Sequence, residues 1–280
     1  NREGVNLLRA VTQQLSLIEE LLPCNAFNPY VELLRAQLKV RPHIRDLPVR
    51  IGALVADEAE EVFGSLDSFV KDLRVAAHSK AFQREIANRR RQMQKNHLKG
   101  TRYIEKCFKK RSRLLVIRID LVVGGEHSES RGITHTVDLK QARTEFAKWL
   151  RYTRATYPRV GHLHELEYGL LSGYHFHVLL LLDGHLECAD VRIAQKLGQH
   201  WDTVITEGRG RHWNCNARAF AYERPALGMI KRQDSLKRIV LIEKVLDYLT
   251  RKRFWMRLEG IRKTFGTGQD PGKRTRRQAA

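Results

Sequence analysis

Residues 174–182 read Tyr-His-Phe-His-Val-Leu-Leu-Leu-Leu. Polar and apolar types alternate at first, unbroken leucine follows, and neither Gly nor Pro interrupts. That pattern belongs to a strand in the middle of a sheet. A second β-rich run, Leu114 to Val123, ends at Gly124-Gly125. Between the two, Leu139, Ala142, Phe146, Trp149 and Leu150 repeat at helical spacing over 138–157 and stop at Pro158. Strands over 160–168 and 173–182 are joined by a turn at Gly169–Gly173. A helix over 188–205, a short Trp213–Asn216 segment, a strand near 226–230 and a helix over Ser235–Leu258 complete the pattern. The order β-α-β-β-α-β-α predicts an α+β domain over 101–267, a mostly antiparallel sheet with helices on one face.

Residues 1–100 read differently. Val5, Leu8, Val11, Leu15, Ile18 and Leu22 form one helical stripe, Pro23 to Pro29 break it, and Val31, Leu34 and Leu38 begin another. No Pro occurs from 51 to 99, so one or two long helices follow and the region is expected to be all-helical. Residues 268–280 read as a basic flexible tail.

Charge narrows the function. The formal net charge is +20, which favours a polyanionic partner. It is concentrated: residues 84–113 hold 12 basic and 2 acidic side chains, and the last 31 residues hold 10 and 2, whereas 114–249 are nearly balanced at 19 and 16. Two basic blocks thus flank the section that carries the chemistry. Arg89, Arg90, Arg91, Lys109, Lys110 and Arg111 are the candidates for tracking a phosphate backbone. Arg274, Arg276 and Arg277 lie in the tail, and Phe254, Trp255 and Phe265 are candidate base-stacking rings. No run of 18 apolar residues and no signal-peptide pattern is present, so neither a membrane nor a secreted setting is expected. The four cysteines are scattered without a C-x-x-C pair and read as reduced thiols.

Alternation places His175 and His177 on one face of their strand and Phe176 and Val178 on the other. Two imidazoles at that spacing can share a metal ion. The preceding strand ends Glu165-Leu166-Glu167-Tyr168-Gly169, and the tight turn brings Glu167, or alternatively Glu165, alongside as a third ligand. Two His and one carboxylate leave coordination positions open, as a catalytic ion needs. His162 and His164 form a second H-x-H, read as surface or phosphate-contacting residues. Tyr248 lies on the Ser235–Leu258 helix with Arg251 and Lys252 one turn on, cations that would sit beside a phosphate and favour phenolate.

These motifs resemble the HUH endonucleases, named for His-hydrophobic-His, and within them the replication initiators of filamentous phages and related prophages. The likeness is carried by Arg118-Ile119-Asp120-Leu121, Leu166-Glu167-Tyr168-Gly169, Gly173-Tyr174-His175-Phe176-His177, Trp213-Asn214-Cys215-Asn216 and Tyr248-Leu249-Thr250-Arg251-Lys252. It covers roughly 112–267. The resemblance implies a palm-like sheet, Mg²⁺ or Mn²⁺ on Glu167, His175 and His177, and attack by Tyr248 on single-stranded DNA at an origin or hairpin. A 5′-phosphotyrosine and a free 3′-hydroxyl would result, initiating rolling-circle replication of a phage or plasmid-like element in the cytoplasm of a bacterial host, where a replication helicase is a possible partner. The family often shows Tyr-x-x-Lys, whereas Arg251 stands at that position here; arginine clamps phosphate but does not readily donate a proton. Imidazole ligands would also accept Zn²⁺. The alternative readings are a non-catalytic nucleic-acid-binding regulator on the same fold and a zinc hydrolase of small molecules, the latter leaving the charge unexplained.

Overall fold

The computed structural model describes residues 6–7, 9–11, 15, 25–47, 55–124, 137–157, 159–169, 173–221, 226–261 and 263–271. The basic cluster Arg274, Arg276 and Arg277 and the side chains of Lys252, Phe254 and Trp255 fall outside what is described. The chain forms two compact units, residues 1–92 with 253–259, and residues 93–252 with 260–280.

The first unit is helical with one small ribbon. Strand β1 (Asn25–Phe27) pairs antiparallel with β7 (Met256–Leu258). Helix α1 (Pro29–Val40) starts where Asn28 Oδ1 accepts the backbone N–H of Tyr30 and Val31 at 2.9 and 3.1 Å, with Pro at the first helical position. Helices α2 (Ala56–His78) and α3 (Lys80–Lys110) follow. Val11, Leu15, Leu38, Ile44 and Phe69 form the core of this unit.

The second unit is α+β. Its elements are the end of α3, β2 (Arg113–Val122), α4 (Leu139–Thr156), β3 (Arg159–Gly169), β4 (Gly173–Asp183), α5 (Asp190–His200), β5 (Arg211–Asn214), β6 (Gly228–Lys231), α6 (Ser235–Val240), α7 (Asp247–Trp255) and β8 (Gly266–Thr267). The sheet runs β5-β2-β4-β3-β8, with β6 pairing β2 beyond β5, and every pairing is antiparallel. β2 and β4 lie in the interior of the sheet, as their apolar runs require.

Helices cover both faces of this sheet, not one. On the first face Leu114 and Val116 of β2 and Leu179 and Leu181 of β4 pack with Tyr103, Ile104, Cys107 and Phe108 of α3 and with Leu241, Leu246 and Leu249. On the second, Phe146 of α4 stacks on Phe176 at 4.0 Å, and Trp149 Nε1 donates to Leu197 O of α5 at 2.9 Å. The reason is in the composition of the inner strands: both alternate sets of β4, Leu179 and Leu181 as well as Leu180 and Leu182, are apolar and fully buried. A strand apolar on both sides must be covered on both.

Three sequence readings are corrected at the edge of this sheet. His162 and His164 are not surface residues: His162 is 8% exposed, and the His164 ring stands edge-on to Phe146 at 4.9 Å. Burial, with Lys263 and Lys99 nearby, pushes His164 down to about 4. Phe265 belongs to the core rather than to a stacking surface. The helix expected over Ser235–Leu258 is also interrupted, since Leu241–Leu246 forms a π-helical turn between α6 and α7 and the final three residues become β7. Among the described residues, no helix is long and apolar enough to cross a membrane.

Candidate metal centre

The β3–β4 hairpin closes at Gly169 and Gly173 and sets Glu167 directly opposite His175 and Glu165 opposite His177. Gly173 has φ +56°, and a Cβ there would lie 2.6 Å from Gly124 O. Only glycine lets the start of β4 pass so close to the end of β2. On the other side of β4, Asp120 of β2 stands opposite His177. Directly opposed residues share a face, so Glu165, Glu167, His175, His177 and Asp120 all point to the side on which Leu241 to Leu249 pack.

Glu167, His175 and His177 each bring one ligand atom to within 4.8 Å of the others. His175 Nε2 is 3.4 Å and His177 Nε2 3.2 Å from Glu167 Oε2. The far side of each ring is also engaged. His175 Nδ1 donates to Gly173 O at 3.0 Å, and His177 Nδ1 is 2.8 Å from Asp120 Oδ1. A carbonyl and a carboxylate only accept, so each Nδ1 is a donor and each Nε2 faces the cluster. Metal-binding histidines require such outer partners to fix tautomer and ring orientation. Burial alone would lower the His177 pKa, but pairing with Asp120 and Glu167 outweighs it and holds the ring at about 9. Burial likewise opposes ionisation of Asp120, and His177, Arg118 and His175 together overcome it, keeping the carboxyl below its ordinary range. This donor set fits a divalent ion that accepts nitrogen and oxygen ligands.

Tyr248 is the second residue of α7, just after the π-helical turn. Its ring meets the His177 ring edge-on at 5.4 Å, and the Arg118 guanidinium lies 4.2 Å from its centroid. Arg118 also lies 3.6 Å from Asp120 Oδ2. Glu167, His177, Asp120, Arg118 and Tyr248 thus form one connected set. The approach of this helical segment depends on Gly100 of α3, where a Cβ would stand 2.5 Å from Leu246 Cδ1.

The other sequence candidates are placed elsewhere. Glu165 is buried and bonded to the Thr264 hydroxyl, so Glu167 is the acid in the cluster. Arg251 is mostly exposed and pairs with Asp247 at 2.9 Å. Arg89, Arg90 and Arg91 lie in the first unit, Arg89 buried and bonded to Glu85. Lys109 and Lys110 are exposed at the end of α3, and Arg111 pairs with Asp183. Asp183 is six residues along β4 from His177, about 20 Å at the rise of a strand, so Arg111 is not brought to the cluster.

Sequence alone gives Asp120 and Arg118 no firm role and reads each as a structural or DNA-contacting residue rather than a ligand. Their signal was two charges spaced i, i+2 in an otherwise apolar inner strand, and only the register of β2 against β4 shows what they face. No family model, curated protein or solved structure matches the chain.

Proposed function

We propose that the second unit is an HUH-type endonuclease, a metal-dependent enzyme that nicks and rejoins single-stranded DNA through Tyr248 and initiates rolling-circle replication of a phage or plasmid-like element. The observation that carries this reading is the edge contact between Tyr248 and His177 of a two-histidine, one-carboxylate cluster. A sheet with H-x-H on an inner strand and a tyrosine on a later helix is also the arrangement the sequence resemblance implies.

Glu167, His175 and His177 would hold Mg²⁺ or Mn²⁺, whose contribution is Lewis-acid polarisation of a phosphate oxygen. Tyr248 supplies the nucleophile. Its phenolic oxygen bonds to phosphorus as the bond to the 3′-oxygen breaks; the phenol loses its proton to solvent and the leaving oxygen gains one. The products are a 5′-phosphotyrosine and a 3′-hydroxyl, and attack by that hydroxyl reverses the step without ATP. Arg118, over the ring, holds Tyr248 beside the cluster through a cation–π contact. Arg251 is left with a phosphate-clamping role at the exposed edge. Asp120 holds the orientation of His177.

The test is incubation with single-stranded origin or hairpin DNA and Mn²⁺, followed by denaturing electrophoresis. The expected result is a covalent protein–DNA adduct, lost with EDTA, in Tyr248→Phe and in His175→Ala. Salt-sensitive binding with no adduct on any strand of the element would refute the nuclease and leave a DNA-binding regulator.

A further inference from the structure

Strand β5 continues the face that carries the metal centre. Its register against β2 pairs Trp213 with Asp120 and Arg211 with Val122. Across β5, β2, β4 and β3, one row therefore reads Trp213, Asp120, His177, Glu165, and the next reads Arg211, Val122, His175, Glu167. Trp213 stands two strands from His177, about 10 Å away.

Exposure sets this indole apart within its unit. Trp149 and Trp201, also in this unit, are 0% exposed, whereas Trp213 is 50% exposed. Nor is it a loose surface ring, because the Arg218 guanidinium lies 4.6 Å from its centroid. The turn between the two is fixed to the strand that holds the site. Asn214 Oδ1 accepts the Ala217 N–H at 3.1 Å, and Cys215 N donates to Arg118 O at 3.3 Å. Buried Asn216 accepts from Arg118 N at 2.8 Å and donates to Val116 O at 3.0 Å and Asp190 Oδ2 at 2.7 Å. The Trp-Asn-Cys-Asn segment is thus a clamp whose one exposed product is the indole.

We propose that Trp213 and Arg218 form a stacking subsite for an unpaired nucleobase of single-stranded DNA close to the scissile phosphodiester, with Arg211 neutralising the backbone beside it. Every base has a π face, so such a platform is tolerant of sequence. The occupant follows from the chemistry: a flat aromatic group bound to an anionic backbone matches an exposed indole with a guanidinium against its ring on a chain of net charge +20. The subsite rests on the nuclease reading above.

The experiment uses the full chain carrying Tyr248→Phe, without metal, and a fluorescein-labelled oligo-dT strand, read by anisotropy. Trp213→Ala is expected to weaken binding by about tenfold to a hundredfold, and Trp213→Phe to stay within about threefold. An oligonucleotide of abasic residues should bind both the parent and Trp213→Ala at the same reduced affinity, because the lost contact is one and the same. Equal oligo-dT affinity of the parent and Trp213→Ala overturns the subsite, as does a loss that persists undiminished on the abasic strand. Adduct formation by the unmodified chain is scored separately: an adduct with unchanged Trp213→Ala binding sinks the subsite alone, and stacking without an adduct sinks the nuclease alone.

Discussion

The side chain of Asn216 fills a gap in a ladder. β5 pairs with β2 at Ile119–Val122 and β6 pairs with it at Arg113–Val116, which leaves Arg118 between the two strands and Val116 at the end of the β6 pairing. Asn216 supplies the missing acceptor and donor, and its second amide hydrogen goes to Asp190. Asn216→Ala removes all three bonds at a position 4% exposed. A buried backbone group stripped of its partner costs about 1–3 kcal/mol, and a bond to a carboxylate contributes about 1.5–3 kcal/mol. Allowing for relaxation, the loss is about 3–5 kcal/mol, or about 6–20 °C in Tm for a unit of this size. Asn216→Asp separates the geometry from simple packing. It keeps the acceptor for Arg118 but sets a carboxylate against Asp190 and the Val116 carbonyl, so at pH 7 it should be at least as unstable as Asn216→Ala. Urea denaturation followed by circular dichroism measures both. An alanine variant within about 0.5 kcal/mol of the parent, or an aspartate variant more stable than the alanine one at pH 7, would refute the reasoning.

Two further outcomes follow from the site and its flank. Asp120→Asn should weaken Mn²⁺ binding about 10–100-fold by calorimetry, because His177 loses the charged partner that orients it; an unchanged affinity would remove Asp120 from the centre. His164 titrates near 4 in the fold against an ordinary value of 6.5. The unfolded chain therefore takes up this proton first, and the contribution, complete above about pH 6.5, is lost as pH falls toward 4, by about 3 kcal/mol in all. His164→Gln should show a correspondingly smaller fall in urea stability over that window, and parallel pH profiles would contradict the assignment.

What the sequence makes legible follows from how each element is encoded. β2, β4 and α4 stand within about a residue of their expected ends because each carries a long apolar pattern of one period. β1, β7 and β8, of three, three and two residues, are too short to show any period. The π-helical turn before Tyr248 is composed like the helices on either side of it, and nothing in its residues marks the change. Within the centre, the convergence of Glu167, His175 and His177 is readable because alternation and a tight hairpin are local facts. Asp120 is not, since its partnership with His177 depends on a pairing between strands more than fifty residues apart. The charge blocks mislead in the opposite direction: Arg89 and Arg111 count as basic residues in the sequence but serve Glu85 and Asp183 in the fold.

The leucines of β4 impose a final consequence on the polar residues beside them. Where Leu179 to Leu182 are buried on both sides, sliding the strand by one residue would exchange one leucine for another, and hydrophobicity alone scarcely distinguishes the two alignments. Such a slip would turn His175 and His177 away from Asp120 and Glu167 and drive them toward Phe146. The ionisable cluster thus supplies an address that the greasy strand lacks, so that the residues proposed to cut DNA also tell the sheet how to line up.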